Sequence, residues 1–302
     1  MKLRYPPPLF ILMFAMPAVF AQGKSGSAPD IRSIAPDLEV PAMIVAQPSA
    51  GKRVKQTIPE YRETNVYHAL YLPTDWKRGK RYPVIVELAG NGVYKNSFGD
   101  VSTGLVEGSN LGYGIAGGKQ FIWVCMPYLN NAGTENVIKW WGDKPKHQTG
   151  PTIDYCTKAV KWICDEYGGD PDAVILAGFS RGAIACNFIG LYNDEIAKLW
   201  RGFIAYSHYD GVNEGWGYPG ADRESALERL KRLEGRAQFI CHETNPNGRF
   251  VLGVTQKYLE STGIEAPFTF VSTGFRNHND AWVLRPSPAR EKLRRWVEGL
   301  LK

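Results

Sequence analysis

The sequence predicts an α/β fold, with a mostly parallel central sheet flanked by helices, and three observations point there. From residue 66 onward, short runs rich in Val, Ile, Phe and other aromatic residues alternate with longer segments of helical period. Glycine and proline signals stand where the helices should start and stop. No internal repeat is visible, and the roughly 245 residues after position 56 suffice for one large single-core domain.

The elements follow in order. Val66–Leu72, Val84–Leu88 and Phe121–Cys125 are the first strand candidates. Helix Ile153–Tyr167 comes next, closed by Gly168 and Gly169, a left-handed cap signal. Strand and helix then alternate: Ala173–Ala177, helix Arg181–Tyr192, strand Gly202–Tyr206, helix Arg223–Leu233, strand Gln238–Cys241, helix Phe250–Ser261 and strand Phe268–Val271. Pro286, Ser287 and Pro288 open the terminal helix Pro288–Leu301. Its Leu293, Trp296, Val297, Leu300 and Leu301 share one face, which should pack on the sheet.

The N-terminus reads differently. Lys2 and Arg4 precede an apolar run from Leu9 to Phe20, with small residues at Ala18 and Ala21, the order of a signal peptide over residues 1–21. The run is about a dozen residues, short of the roughly 20 that span a bilayer, so no membrane anchor is expected after cleavage and the protein should be secreted or periplasmic. Residues 22–56, rich in Ser, Ala, Pro, Gly and Lys, read as a flexible tether, leaving 57–302 as the folded domain. Net charge is +6, with basic residues interspersed among acids, which gives nucleic-acid binding no support. Five cysteines read as buried free thiols, a Cys125 to Cys241 bridge being the alternative. Neither a CxxC pair nor HExxH is present, so no metal is expected, and nothing calls for a cofactor.

The chemistry is carried by Gly178-Phe179-Ser180-Arg181-Gly182 between the apolar strand AVILA and a helical segment. G-x-S-x-G at a strand-to-helix turn lifts its serine above the sheet edge, and the tightness of that turn demands small flanking residues. A serine hydroxyl needs a base, and His278 lies in the loop between the last strand and the terminal helix. His68, His147, His208 and His242 are the other candidates. For the acid that orients the imidazole, Asp210 after the strand GFIAY is the first choice, with Glu243 and Asn245 after the strand QFIC as alternatives. The oxyanion of a tetrahedral intermediate would be met by the backbone N–H of Arg181 at its helix start, and by that of Asn91 in the turn Ala89-Gly90-Asn91-Gly92. Trp141 and Trp216 sit in aromatic loops suited to the walls of a substrate cleft, and Gly104–Gly118 reads as a mobile flap.

Over roughly residues 66–301 the chain resembles the α/β-hydrolases, in particular the esterase group of feruloyl and acetylxylan esterases and polyhydroxybutyrate depolymerase-like proteins. GFSRG after an apolar strand and the stretch HNDAWVLRPSPAR carry the resemblance. It departs from the pattern at Asn245, where an aspartate is usual, and at Ala89, where the oxyanion turn often has histidine. The resemblance implies a secreted serine carboxylesterase working through an acyl-enzyme on small-molecule or polymer-derived esters, such as acyl or feruloyl esters of polysaccharides, or polyesters. The alternatives are a catalytically silent hydrolase-fold protein that binds glycans, and an exported serine peptidase.

Overall fold

The computed structural model describes residues 28–244 and 251–302. The expected signal peptide, Asn245 and the first residues of the expected helix at Phe250 lie outside the described residues. Among the described residues nine strands form one sheet. In chain order they are β1 (Met43–Ile44), β2 (Arg53–Gln56), β3 (His68–Tyr71), β4 (Tyr82–Leu88), β5 (Ile122–Met126), β6 (Gly169–Phe179), β7 (Gly202–Tyr206), β8 (Gln238–His242) and β9 (Phe268–Ser272). Their spatial order is β1-β2-β3-β5-β4-β6-β7-β8-β9. The six strands from β5 to β9 along this order run parallel, while β3 is antiparallel to both β2 and β5.

The helices are α1 (Leu111–Ala116), α2 (Gly150–Tyr167), α3 (Arg181–Phe188), α4 (Asp194–Ala197), α5 (Arg223–Leu230), α6 (Leu252–Thr262) and α7 (Pro288–Leu300). They cover both faces, and the two-residue period of each strand decides which residue goes where. Val174 and Leu176 of β6 join the cluster with Ile163, Ile184 and Leu230, whereas Ile175, Ala177 and Phe179 join the cluster with Leu111, Leu293 and Val297. Each such Val, Leu, Ile or Phe side chain contributes about 1.5–3 kcal/mol on leaving water. The terminal helix uses the expected face, with Leu293 and Val297 buried and Trp296 against Phe239. Gly168 closes α2 at φ 76° as expected.

Three expectations need correction. Residues 28–56 are not a loose tether: β1 and β2 extend the sheet, Ile31 and Val54 are buried, and Asp37 Oδ2 accepts from Arg290 Nη2 at 2.7 Å. Their local composition has no apolar period because the anchors are few and their partners lie across the fold. Gly104–Gly118 is no open flap either, since it contains α1, whose Leu111 and Ile115 are buried. Glycine is required there by close approach, as a Cβ at Gly112 would lie 2.0 Å from the Trp123 ring. The expected helix Arg181–Tyr192 stops at Phe188, where the last turn widens and the Ile189 and Gly190 N–H groups both donate to Ala185 O.

All five cysteines are buried free thiols. Cys125 on β5 and Cys241 on β8 are separated by four strand spacings, about 19 Å, beyond the reach of a disulfide. Among the described residues no helix is long and apolar enough to cross a membrane.

Candidate active site

The site lies at the C-terminal edge of the parallel strands. β6 ends at Phe179 and α3 begins at Arg181, so Ser180 alone makes the turn, at φ 55° and ψ −113°. That backbone is sparsely populated for a residue with a Cβ and costs of order 1–3 kcal/mol, held here by the packing around it. The flanking glycines are required by contact: a Cβ at Gly178 would lie 2.1 Å from Gly182 O, and one at Gly182 would lie 1.8 Å from Leu88 O. Ser180 N–H donates to Tyr206 O at 2.9 Å, and the side chain stays partly exposed above the sheet.

His278 arrives on the loop after β9. Its Nε2 is 3.0 Å from Ser180 Oγ, as the sequence anticipated. The loop is pinned from several sides. Asp100, itself buried, accepts from His278 N–H at 3.1 Å and from Asn277 Nδ2 at 2.8 Å, and Tyr206 Oη donates to Asn277 O at 2.9 Å. The imidazole is flanked by Phe179, Tyr94 and His208, with ring centroids 4.8, 5.1 and 5.3 Å away. Burial, reinforced by the adjacent His278, pushes His208 down to about 3, so it is neutral and adds no like charge beside the base. His68 and His147 are spent elsewhere, the first on Tyr155 Oη at 2.7 Å and the second on Trp141 O at 3.1 Å.

The first-choice carboxylate is not the one beside His278. Asp210 is buried and gripped by both arms of Arg229, Oδ2 to Nε at 2.8 Å and Oδ1 to Nη2 at 3.2 Å. Arg229 also donates to Gly220 O at 2.7 Å and lies over the Phe188 ring, so the pair ties the loop after β7 to α5. The carboxylate that meets the histidine is Glu243, whose Oε1 is 3.1 Å from His278 Nδ1. Burial pushes this carboxyl up, but the hydrogen bond and charge of His278 outweigh it and hold it at about 2. Asn245, the third candidate, lies outside the described residues.

Ser207 joins the same hydrogen bonds. Its Oγ is 2.8 Å from His278 Nδ1 and donates to Glu243 Oε1 at 3.1 Å, so the imidazole N–H faces both oxygens. Ser207 N–H donates to Cys241 O at 2.8 Å, which sets the residue beside Glu243, and its φ of 87° turns the side chain toward the histidine. Neither this backbone state nor the clamp by Asp100 leaves a mark in the sequence, and both residues escaped it.

The expected oxyanion turn abuts the elbow. Arg181 is the first residue of α3, so its N–H has no acceptor within the helix. Asn91 uses its side chain structurally, accepting from Trp140 N–H at 2.8 Å, while the neighbouring Gly92 N–H is spent on Ile138 O at 2.7 Å. Of the two tryptophans expected at the cleft, Trp141 is fully buried and stacked on Phe188 at 4.5 Å, a core residue and not a substrate wall. Trp216 is partly exposed, 5.3 Å from the His208 ring and 5.4 Å from the Trp140 ring.

No family model matches the chain, and no curated protein does. Solved structures do. A CE1 ferulic acid esterase from Anaeromyces mucronatus is 18% identical over 85% of this chain and 93% of its own, with TM-score 0.52. An S-formylglutathione hydrolase from Agrobacterium tumefaciens is 13% identical over 85% and 96%, with TM-score 0.53. Thermogutta terrifontis esterase 2 phosphorylated by paraoxon is 13% identical over 85% and 96%, with TM-score 0.54. The chain spans 62% of the length of a thermostable esterase and 36% of that of Porphyromonas gingivalis dipeptidyl peptidase 4. The fold is therefore that of the α/β-hydrolases.

Proposed function

We propose that this chain is a serine hydrolase that cleaves carboxylic esters through an acyl-enzyme. One observation carries the reading: a hydrogen-bonded line runs from Ser180 Oγ through both nitrogens of His278 to Glu243, with the serine held on an outlier turn. His278 Nε2 takes the proton as Ser180 Oγ attacks the ester carbonyl. Glu243, with Ser207 beside it, fixes the ring so that Nδ1 carries its proton inward, and it stabilises the imidazolium that forms. The oxyanion is received by the N–H groups of Arg181 and Asn91. Collapse expels the alcohol with the proton from His278, and water repeats the sequence to release the carboxylic acid.

The substrates favoured are acyl or feruloyl esters of polysaccharides, or polyesters. The signal-like N-terminus supports an exported enzyme, the Trp216 side of the cleft offers an aromatic wall, and a ferulic acid esterase is among the proteins of this fold. The direct test is hydrolysis of p-nitrophenyl acetate together with labelling by a fluorophosphonate. Both should occur in the wild type and vanish in Ser180→Ala. A wild type that neither turns over nor labels would leave a silent binding protein, and faster cleavage of a matched amide would make it a peptidase.

A further inference from the structure

The guanidinium of Arg181 is a buried cation with no carboxylate in salt-bridge contact among the described residues. It is 1% exposed, and its hydrogen bonds go to four main-chain carbonyls instead: Trp140 O at 2.6 Å, Gly90 O at 2.9 Å, Gly104 O at 3.3 Å and Ala89 O at 3.4 Å. The face of Tyr128 covers it, with the guanidinium carbon 3.8 Å from the ring centroid, and the Tyr128 hydroxyl donates to the same Ala89 carbonyl at 3.0 Å. Burial lowers its pKa to about 10, so it keeps its charge at neutral pH. An uncompensated cation is costly to bury, and a surface arginine would serve the elbow's backbone equally well. Its place therefore calls for a reason.

Geometry supplies one. In a trans peptide the C=O and N–H point in opposite directions. The guanidinium draws the Ala89 and Gly90 carbonyls inward, so the next N–H groups along the chain, those of Gly90 and Asn91, are turned outward. These belong to the turn that abuts the elbow: Gly90 packs against the Phe179 ring and Gly182 against Leu88 O. The same cation ties this turn to two other segments, at Gly104 and Trp140, while Asn91 Oδ1 and Gly92 N–H stitch it to residues 138–140. Glycine at 104 is needed for this junction, since a Cβ there would lie 2.3 Å from Ile138 O.

We infer that the Arg181 side chain is a positioning residue for the oxyanion site: it fixes and polarises the peptides of Ala89–Gly90 and Gly90–Asn91 from behind, so that their N–H groups meet the developing negative charge already oriented. The inference rests on the ester-hydrolase reading above and adds to it a side chain that never touches substrate, distinct from the Arg181 backbone N–H. A single oxyanion donor is worth about 10²- to 10³-fold in kcat, and an effect of that order is expected when its support is removed.

The test compares wild type, Arg181→Lys and Arg181→Met by kcat and KM on p-nitrophenyl acetate, by the rate of phosphorylation by paraoxon, and by thermal melting. The expected result is roughly 100-fold loss of kcat in Arg181→Met with KM within about 3-fold. Phosphorylation should slow in parallel, and Arg181→Lys should recover part of both because it restores the charge without the fork. Variants that fold and keep kcat within about 3-fold of wild type overturn the inference. Should Arg181→Met fail to fold, the same criterion applied to Arg181→Lys decides. An inert wild type is a different result, since it removes the ester-hydrolase reading itself and the inference with it.

Discussion

Glu243 Oε1 stands 3.1 Å from His278 Nδ1, on the far side of the imidazole from Ser180 Oγ. Asp210, only three residues beyond Ser207, is turned away into the grip of Arg229. Removing charge from each carboxylate should therefore have opposite signatures. Glu243→Gln is expected to lower kcat on p-nitrophenyl acetate by roughly 10³-fold or more while the protein still folds. Asp210→Ala should instead cost about 3–5 kcal/mol of stability by leaving the Arg229 charge buried and unpaired, which denaturant unfolding would read. A dead Asp210→Asn enzyme beside a fully active Glu243→Gln would reverse the assignment.

Stability should also record the His278–Glu243 contact as a pH dependence. Glu243 titrates at about 2 in the fold against an ordinary value of 4.5, so the folded state binds its proton less readily than the unfolded chain. The resulting stabilisation is fully present above pH 4.5 and is lost as pH falls through the folded value. Unfolding free energies of wild type and Glu243→Gln, measured from pH 6 down to about 2, should differ in slope over that window, the variant being flatter. Equal slopes would mean that the carboxylate makes no such contact.

The two tryptophans should separate cleanly. Trp141 is enclosed by Phe188, Tyr128 and Tyr218, and Trp141→Ala should cost about 3–5 kcal/mol through the cavity it leaves. Trp216 is partly exposed, so Trp216→Ala should cost about 1 kcal/mol or less and act mainly on KM for bulky aryl esters. Melting curves and Michaelis parameters on a short and an aryl ester check both.

Deleting residues 1–56 removes β1, β2 and the buried side chains of Ile31 and Val54, and bares the outer edge of β3. The shortened chain is expected to lose several kcal/mol and to aggregate, as an exposed sheet edge invites pairing between molecules. A truncated protein that is monomeric and as stable as the full chain would restore the tether.

The thiols give a simple control. With all five cysteines free, melting temperatures with and without reductant should agree, and alkylation after unfolding should add five labels per chain. A smaller number under non-reducing conditions would reveal a bridge.

Ser180 and His278 were legible in the sequence because their signals are local. The elbow needs glycine at 178 and 182 for reasons of contact within a few residues, and the alternation of apolar runs with helical segments sets the sheet that carries them. The alternation of strands and helices from residue 66 onward and the buried face of the last helix follow from the same short-range periodicities.

Other features depended on who stands beside whom across the sheet. The choice among Asp210, Glu243 and Asn245 could not be read from spacing, because each follows a strand at this edge. Arg229, brought in by α5, removes Asp210 from contention, and the register of Ser207 beside Cys241 places Glu243 at the ring. Tertiary packing likewise sent Trp141 inward while Trp216 stayed partly exposed, and fixed residues 28–56 on the fold through a few long-range anchors. The sequence by itself pointed to Ser180, His278 and the layered architecture, since those rest on local geometry and hydrophobic period. Only the tertiary structure brought Glu243 to the imidazole, sent Trp141 into the core and built the carbonyl cradle of Arg181, since a side chain's reach is set by neighbours distant in the chain.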